Sequence, residues 1–133
     1  MQLYLDACIV ILLVERHQQY ESQIRSELSQ RHGAKLCWTE LTRMETRVKP
    51  LRENMHLLLS HFDHFYTEPA ASRIVLDREV FDIATELRAK HGLKTPDALH
   101  LAAALRSDCA EFWTNDRHLE KAADGRIAIV TFN

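Results

Sequence analysis

The chain has 133 residues, 46% hydrophobic and 27% charged, which is the balance of one ordinary globular domain. Seventeen basic and nineteen acidic side chains give a net charge of −2, which excludes a generally basic protein that coats nucleic acid. No apolar run approaches the ~20 residues of a membrane span, and three widely spaced cysteines without a C-x-x-C pair point to a reduced, cytoplasmic protein.

Gln2–Leu5 is short and apolar and ends at Asp6, as a first strand would. Ala7–Val14 follows without a turn signal and starts a helix, and a polar helical stretch from Gln18 to Arg31 stops at His32-Gly33. Ala34–Trp38 is a second strand. Thr39 caps a helix reaching about Val48, Pro50 ends it, and a further helix covers Leu51–Phe65. Arg73–Leu76 is a third strand. Asp77 caps a helix with an apolar stripe at Val80, Phe81, Ala84 and Leu87, closed by His91-Gly92. Thr95-Pro96 opens another helix, with threonine as cap and proline in the first turn. Glu111–Trp113 is a strand, Asn115–Ala123 a short helix and Ile127–Thr131 a final strand. This alternation predicts an α/β fold with a central, mostly parallel sheet of four to five strands flanked by helices.

In parallel sheets, sites form beyond the carboxyl ends of the strands. Asp6, Glu45, Asp97 and Asp116 all fall at or after such ends. Converging carboxylates repel unless a cation compensates them, and oxygen-rich clusters suit Mg²⁺ or Mn²⁺. Such ions activate water and offset charge on a phosphodiester. Each acid also has a structural explanation. Asp6 and Asp116 can cap helices, Asp97 can complement a helix dipole, and Glu45 can be a solvated residue with Glu40 as rival. Their ordered combination carries the inference. Arg43, Arg47, Lys49 and Arg52 surround Glu45 in sequence. Arg43 and Arg47 share a helix face that points away from it, so either RNA or a protein partner could meet them. Arg117 and His118 form a second basic candidate. His61-x-x-His64 has the spacing of a helical metal pair or of plain surface histidines. His100, one turn after Asp97, is expected as a hydrogen-bonded structural residue rather than a general base. The aromatic residues Trp38, Phe112 and Trp113 are expected in the core or at the pocket edge, where base stacking is the alternative role.

Four segments together resemble the PIN domain, and specifically the VapC-type toxins of bacterial toxin–antitoxin pairs. They are Tyr4-Leu5-Asp6-Ala7-Cys8, Leu41-Thr42-Arg43-Met44-Glu45 with Pro50-Leu51-Arg52, Thr95-Pro96-Asp97-Ala98-Leu99-His100-Leu101-Ala102-Ala103-Ala104, and Trp113-Thr114-Asn115-Asp116. The resemblance spans nearly the whole chain, implying one PIN domain over residues 1–133 in a three-layer fold, and it selects Glu45 over Glu40. It implies one or two Mg²⁺ or Mn²⁺ ions held by Asp6, Glu45, Asp97 and Asp116, with Thr114 and Asn115 supporting the pocket. It also implies an endoribonuclease acting on cellular RNA, a cognate antitoxin whose tail crosses the pocket, and a homodimer. Met55, Leu58, Leu59 and Phe62 are expected in such an interface or in the core. Many relatives place Ser or Thr after the first Asp, where this chain has Ala7 and Cys8, so an orienting hydroxyl is absent there. Other functions consistent with the residues are a PIN-like nuclease on DNA or in RNA maturation, and a binding module with a degenerate pocket. A dehalogenase-type phosphotransferase would need a second Asp where Cys8 stands. Setting the four acids aside leaves fifteen acids against seventeen bases.

Overall fold

The computed structural model describes residues 1–132; Asn133, included in the expected domain, lies outside them. Elements follow as β1 (Gln2–Leu5), α1 (Ala7–Val14), α2 (Glu21–Ser29), β2 (Lys35–Trp38), α3 (Glu40–Arg52), α4 (His56–Phe65), β3 (Ala71–Arg73), α5 (Arg78–His91), α6 (Thr95–Arg106), β4 (Glu111–Trp113), α7 (Leu119–Ala123) and β5 (Ala128–Val130). The five strands form one parallel sheet in the order β3-β2-β1-β4-β5. The expected α/β class and largely parallel sheet are therefore observed.

Alternation along the strands divides the core into two layers. Leu3 and Leu5 of β1 and Trp113 of β4 face Ile9, Val10, Leu13, Ile24 and Phe62, from α1, α2 and α4. Tyr4 and Phe112 face the other side, against α5, α6 and α7. Helix α6 is buried all round from Ala98 to Ala104, which its run of small residues permits. None of the helices among the described residues is long and apolar enough to cross a membrane.

Four element expectations need correction. Pro50 does not end α3, which runs on to Arg52. The proline lies in the last turn with its ring buried, and the Asn54 backbone, at φ 54°, makes the break before α4. Thr95 is the first helical residue rather than the cap; Lys94 occupies the cap position without a side-chain bond. Strand β3 is the polar Ala71–Arg73, because pairing with Leu36–Trp38 sets it, while the more apolar Val75 is exposed. Asn115–His118 is a turn and not helix, since Thr114 Oγ1 and Asp116 Oδ1 accept the backbone N–H groups of Asp116 and His118. Phe81, placed on the buried stripe of α5, is half exposed, whereas Asp77 and Gly92 bound that helix as expected.

Candidate active site

The chain builds β2 and β3 on one side of β1, then crosses back to lay β4 on the other. Connections leaving β1 and β4 therefore diverge and open a crevice at their carboxyl ends. Asp6 leaves β1 there, and Thr114–Asp116 leave β4. Glu45 comes from the second turn of α3, and Asp97 from the first turn of α6.

Asp6 is both cap and pocket residue. Its Oδ1 accepts from Ala7 N at 2.8 Å, at the start of α1. Its Oδ2 accepts from the fully buried Thr114 Oγ1 at 2.9 Å. The hydroxyl absent after Asp6 in the sequence thus arrives from β4's end instead. Cys8 Sγ lies 3.9 Å from the same Thr114 oxygen. Burial, and then Asp6, push the Cys8 thiol up from its ordinary value.

Two groups of potential metal-ligating atoms result, each with its atoms within 4.8 Å of one another: Asp6, Glu45 and His100, and Asp97, Asp116 and His118. In the first, His100 Nε2 lies 2.5 Å from Glu45 Oε1 and 3.7 Å from Asp6 Oδ1. In the second, His118 Nδ1 bonds Asp116 Oδ1, and its Nε2 lies 3.5 Å from Asp97 Oδ2. The groups share one electrostatic field. Burial raises the Asp97 carboxyl above its ordinary value, and the charges of Asp6 and Asp116 raise it further, against His118 and His100. A divalent cation would offset both the burial and the neighbouring charge. Four carboxylates, with the two histidines beside them, make a donor set that fits a divalent cation.

The remaining expected residues fall outside this inner set. Asn115 is exposed, and its backbone is a hydrogen-bond partner of the Cys8 thiol. Arg43 lies 3.7 Å from Glu40, and Arg47 Nε bonds Asp63 Oδ1 of α4 at 2.8 Å. Arg117 sits on the exposed turn beside Asp116. Glu40, the rival acid, pairs with Arg43 and Arg73 away from the cluster. Phe62 is fully buried core, with Leu58 packed against that core. Met55 is exposed, as are Met44, Val48, Leu51 and Leu57. His61 and His64 line a cavity of about 560 Å³ with Leu13, Leu36 and Phe65, at the opposite end of the strands. His64 Nε2 there lies 2.9 Å from Glu68 Oε1. The sequence pointed to neither His100 nor His118 as a member of these acidic groups, nor to Tyr4 behind His100. The three-residue spacing of Thr39, Thr42 and Glu45, one face of α3, was the available signal for what surrounds Tyr4.

The model of the PIN domain matches residues 3–125. The chain belongs to the PIN domain family. This is a nuclease family. No curated protein sequence matches the chain. Among solved structures, the PIN chain is similar to VapBC2 from Rickettsia felis bound to a DNA fragment from its promoter. That match has a TM-score of 0.80 and 13% identity over 100% of both chains. DNA-bound VapBC from Salmonella typhimurium is similar with a TM-score of 0.74 and 16% identity, over 98% of both chains. A toxin–antitoxin complex from Klebsiella pneumoniae has a TM-score of 0.63 and 20% identity, over 96% of this chain and 95% of that one. At these identities the likeness is one of fold.

Proposed function

We propose that this PIN domain is a metal-dependent endoribonuclease and the toxin of a toxin–antitoxin pair. One observation carries the proposal: four carboxylates from four separate elements meet at the β1/β4 crevice, tied there by Thr114 and two histidines. Asp6, Glu45, Asp97 and Asp116 would hold one or two Mg²⁺ or Mn²⁺ ions. A bound ion would offset charge on the phosphodiester and activate water for its hydrolysis. Thr114 keeps Asp6 turned into the crevice and, through Asp116 N, sets the turn that presents Asp116. Asn115 would support that turn from its exposed side. Arg43, Arg47 and Arg117 would meet RNA phosphates outside the pocket, where each charge adds salt-sensitive affinity.

The structural relatives named above as toxin–antitoxin complexes support a cognate antitoxin for this chain. The exposed apolar side chains Met44, Val48, Leu51, Met55 and Leu57 on α3 and around the start of α4 give a surface for that partner or for a homodimer. We place the protein in the cytoplasm, where its RNA is, acting as one PIN domain.

The deciding experiment is sequencing of RNA ends after brief expression, with Asp6→Asn and Asp97→Asn as controls. Discrete new 5′ ends that vanish in both variants, together with relief of growth inhibition, are expected. Full toxicity in both variants would refute the assignment. Cleavage of DNA but not RNA by the purified protein would move it to a DNA nuclease, and absence of Mn²⁺ binding would leave a binding module.

A further inference from the structure

We infer that His100 is a positioning residue that holds the Glu45 carboxylate in place, and that Tyr4 and the cap of α3 determine which ring nitrogen faces it. This rests on the proposal that Glu45 helps hold a metal. Glu45 is a long, partly exposed side chain, and unheld it samples many rotamers. Its Oε1 lies 2.5 Å from His100 Nε2. His100 is itself only 2% exposed, so its ring cannot turn to water.

Hydrogen-bond bookkeeping gives the network a direction. Thr39 and Thr42 form a capping box in which each hydroxyl oxygen accepts the other's backbone N–H, at 3.1 and 3.5 Å. Their own O–H protons are then left to donate. Both oxygens lie 3.3 Å from the Tyr4 hydroxyl, which accepts them. The Tyr4 proton is thereby turned to His100 Nδ1 at 2.6 Å. A ring that accepts at Nδ1 carries its proton on Nε2, the nitrogen facing Glu45. Tyr4 is fully buried, stacks on Phe112 with centroids 5.2 Å apart, and meets His100 edge-on at 5.6 Å. The network leaves α3 at Thr39 and Thr42, passes through β1 and α6, and returns to α3 at Glu45. It closes a loop that fixes the helix and its acid together. The same Nε2 lies 3.7 Å from Asp6 Oδ1, which spaces the two carboxylates around one donor.

The test is Mn²⁺ binding to the full chain, followed by the electron-spin resonance of free Mn²⁺, with thermal melts to establish folding. Losing a supporting partner of this kind costs roughly 10–100-fold in metal affinity. His100→Leu, which removes the donor, should raise the Mn²⁺ Kd by that amount. His100→Asn keeps a group near Tyr4 but falls short of Glu45 and should do the same. His100→Gln, whose amide N–H reaches the Nε2 position, should restore most of the affinity. Adding His100→Leu to Glu45→Gln should cost nothing further, because the histidine acts through that carboxylate. Equal binding by His100→Leu and wild type would overturn the inference and leave the metal nuclease intact. So would additive losses in the double variant, or nitrogen coupling to bound Mn²⁺, which would make His100 a ligand. If the leucine variant does not fold, the glutamine–asparagine pair decides. Failure of wild type to bind Mn²⁺ would remove the metal nuclease and this inference with it.

Discussion

Thr114→Val is the sharpest single perturbation of this pocket. The substitution keeps shape and burial and removes one hydroxyl that serves two acids, donating to Asp6 Oδ2 at 2.9 Å and accepting from Asp116 N at 3.1 Å. A hydrogen bond to a charged group contributes ~1.5–3 kcal/mol. The extra buried methyl returns about 0.8 kcal/mol, and the exposed turn lets Asp116 N find water. The net loss is about 1–2 kcal/mol in the metal-free protein, which at this chain length lowers Tm by ~3–8 °C. Mn²⁺ should amplify the difference. A 10–100-fold weaker Kd removes ~1.4–2.7 kcal/mol of metal-linked stabilisation at saturating ion. Differential scanning fluorimetry with and without Mn²⁺ reads both terms, and cleavage of total RNA reads the consequence. Thr114→Ser should behave as wild type in all three. A valine variant that melts within ~1 °C of wild type, gains as much from Mn²⁺ and cleaves at the same rate would refute the role given to this hydroxyl.

Asp97→Asn should abolish cleavage while leaving the metal-free protein at least as stable as wild type at neutral pH. The folded carboxyl is raised by burial and by Asp6, so its contribution is favourable only in acid and is lost as pH rises. The variant's advantage should therefore vanish below about pH 4, and a lower neutral Tm would contradict this. Arg31→Met should destabilise by roughly 1–3 kcal/mol in urea titrations, since Arg31 bonds Glu111 at 2.6 and 3.1 Å and covers the Trp113 ring at 4.9 Å. Burial alone would raise the Glu111 carboxyl, but bonds from Arg31 and Trp113 hold it below its ordinary value. Its stabilisation is thus present above the unfolded carboxylate range and lost as pH falls. The gap between wild type and Arg31→Met should close below about pH 4.

Local chemistry was legible where one residue decides. Asp77 caps α5 by accepting from Val80 N, and Gly92 takes φ 67° at its other end, both as the sequence implied. Expectation failed where partners far along the chain decide. The polar Ala71–Arg73 becomes a strand because β2 offers it an edge, and no feature of its own sequence shows that. Asn115–His118 departed from helix for a local reason instead: Thr114 and Asp116, each two residues away, capture the amides that a helix would need. In the candidate site, Asp6, Glu45 and Asp116 stood out because each comes after a strand end, and Asp97 because it opens a helix. His100 was visible only as a hydrogen-bonded histidine, since its partners Tyr4 and Glu45 lie 96 and 55 residues away.

The two halves of the crevice solve the repulsion of their acids differently. Asp6 and Glu45 meet a histidine locked in the core, 2% exposed and tied to the cap of α3. Asp97 and Asp116 meet His118, which is 53% exposed on a turn. A buried, fully hydrogen-bonded donor holds its partner at fixed geometry, whereas an exposed one is screened and exchanges readily with water. Position in the sheet explains the difference. β1 is the central strand and α3 is locked to it through Tyr4, so Glu45 is held beside Asp6 by the core. Asp116 depends on a turn beyond β4, whose outer neighbour is the edge strand β5. The rigid half keeps its acids in place without further ordering. The open half keeps its acids and His118 in reach of solvent. That asymmetry matches the strand order, with β1 at the centre and β4 beside the edge.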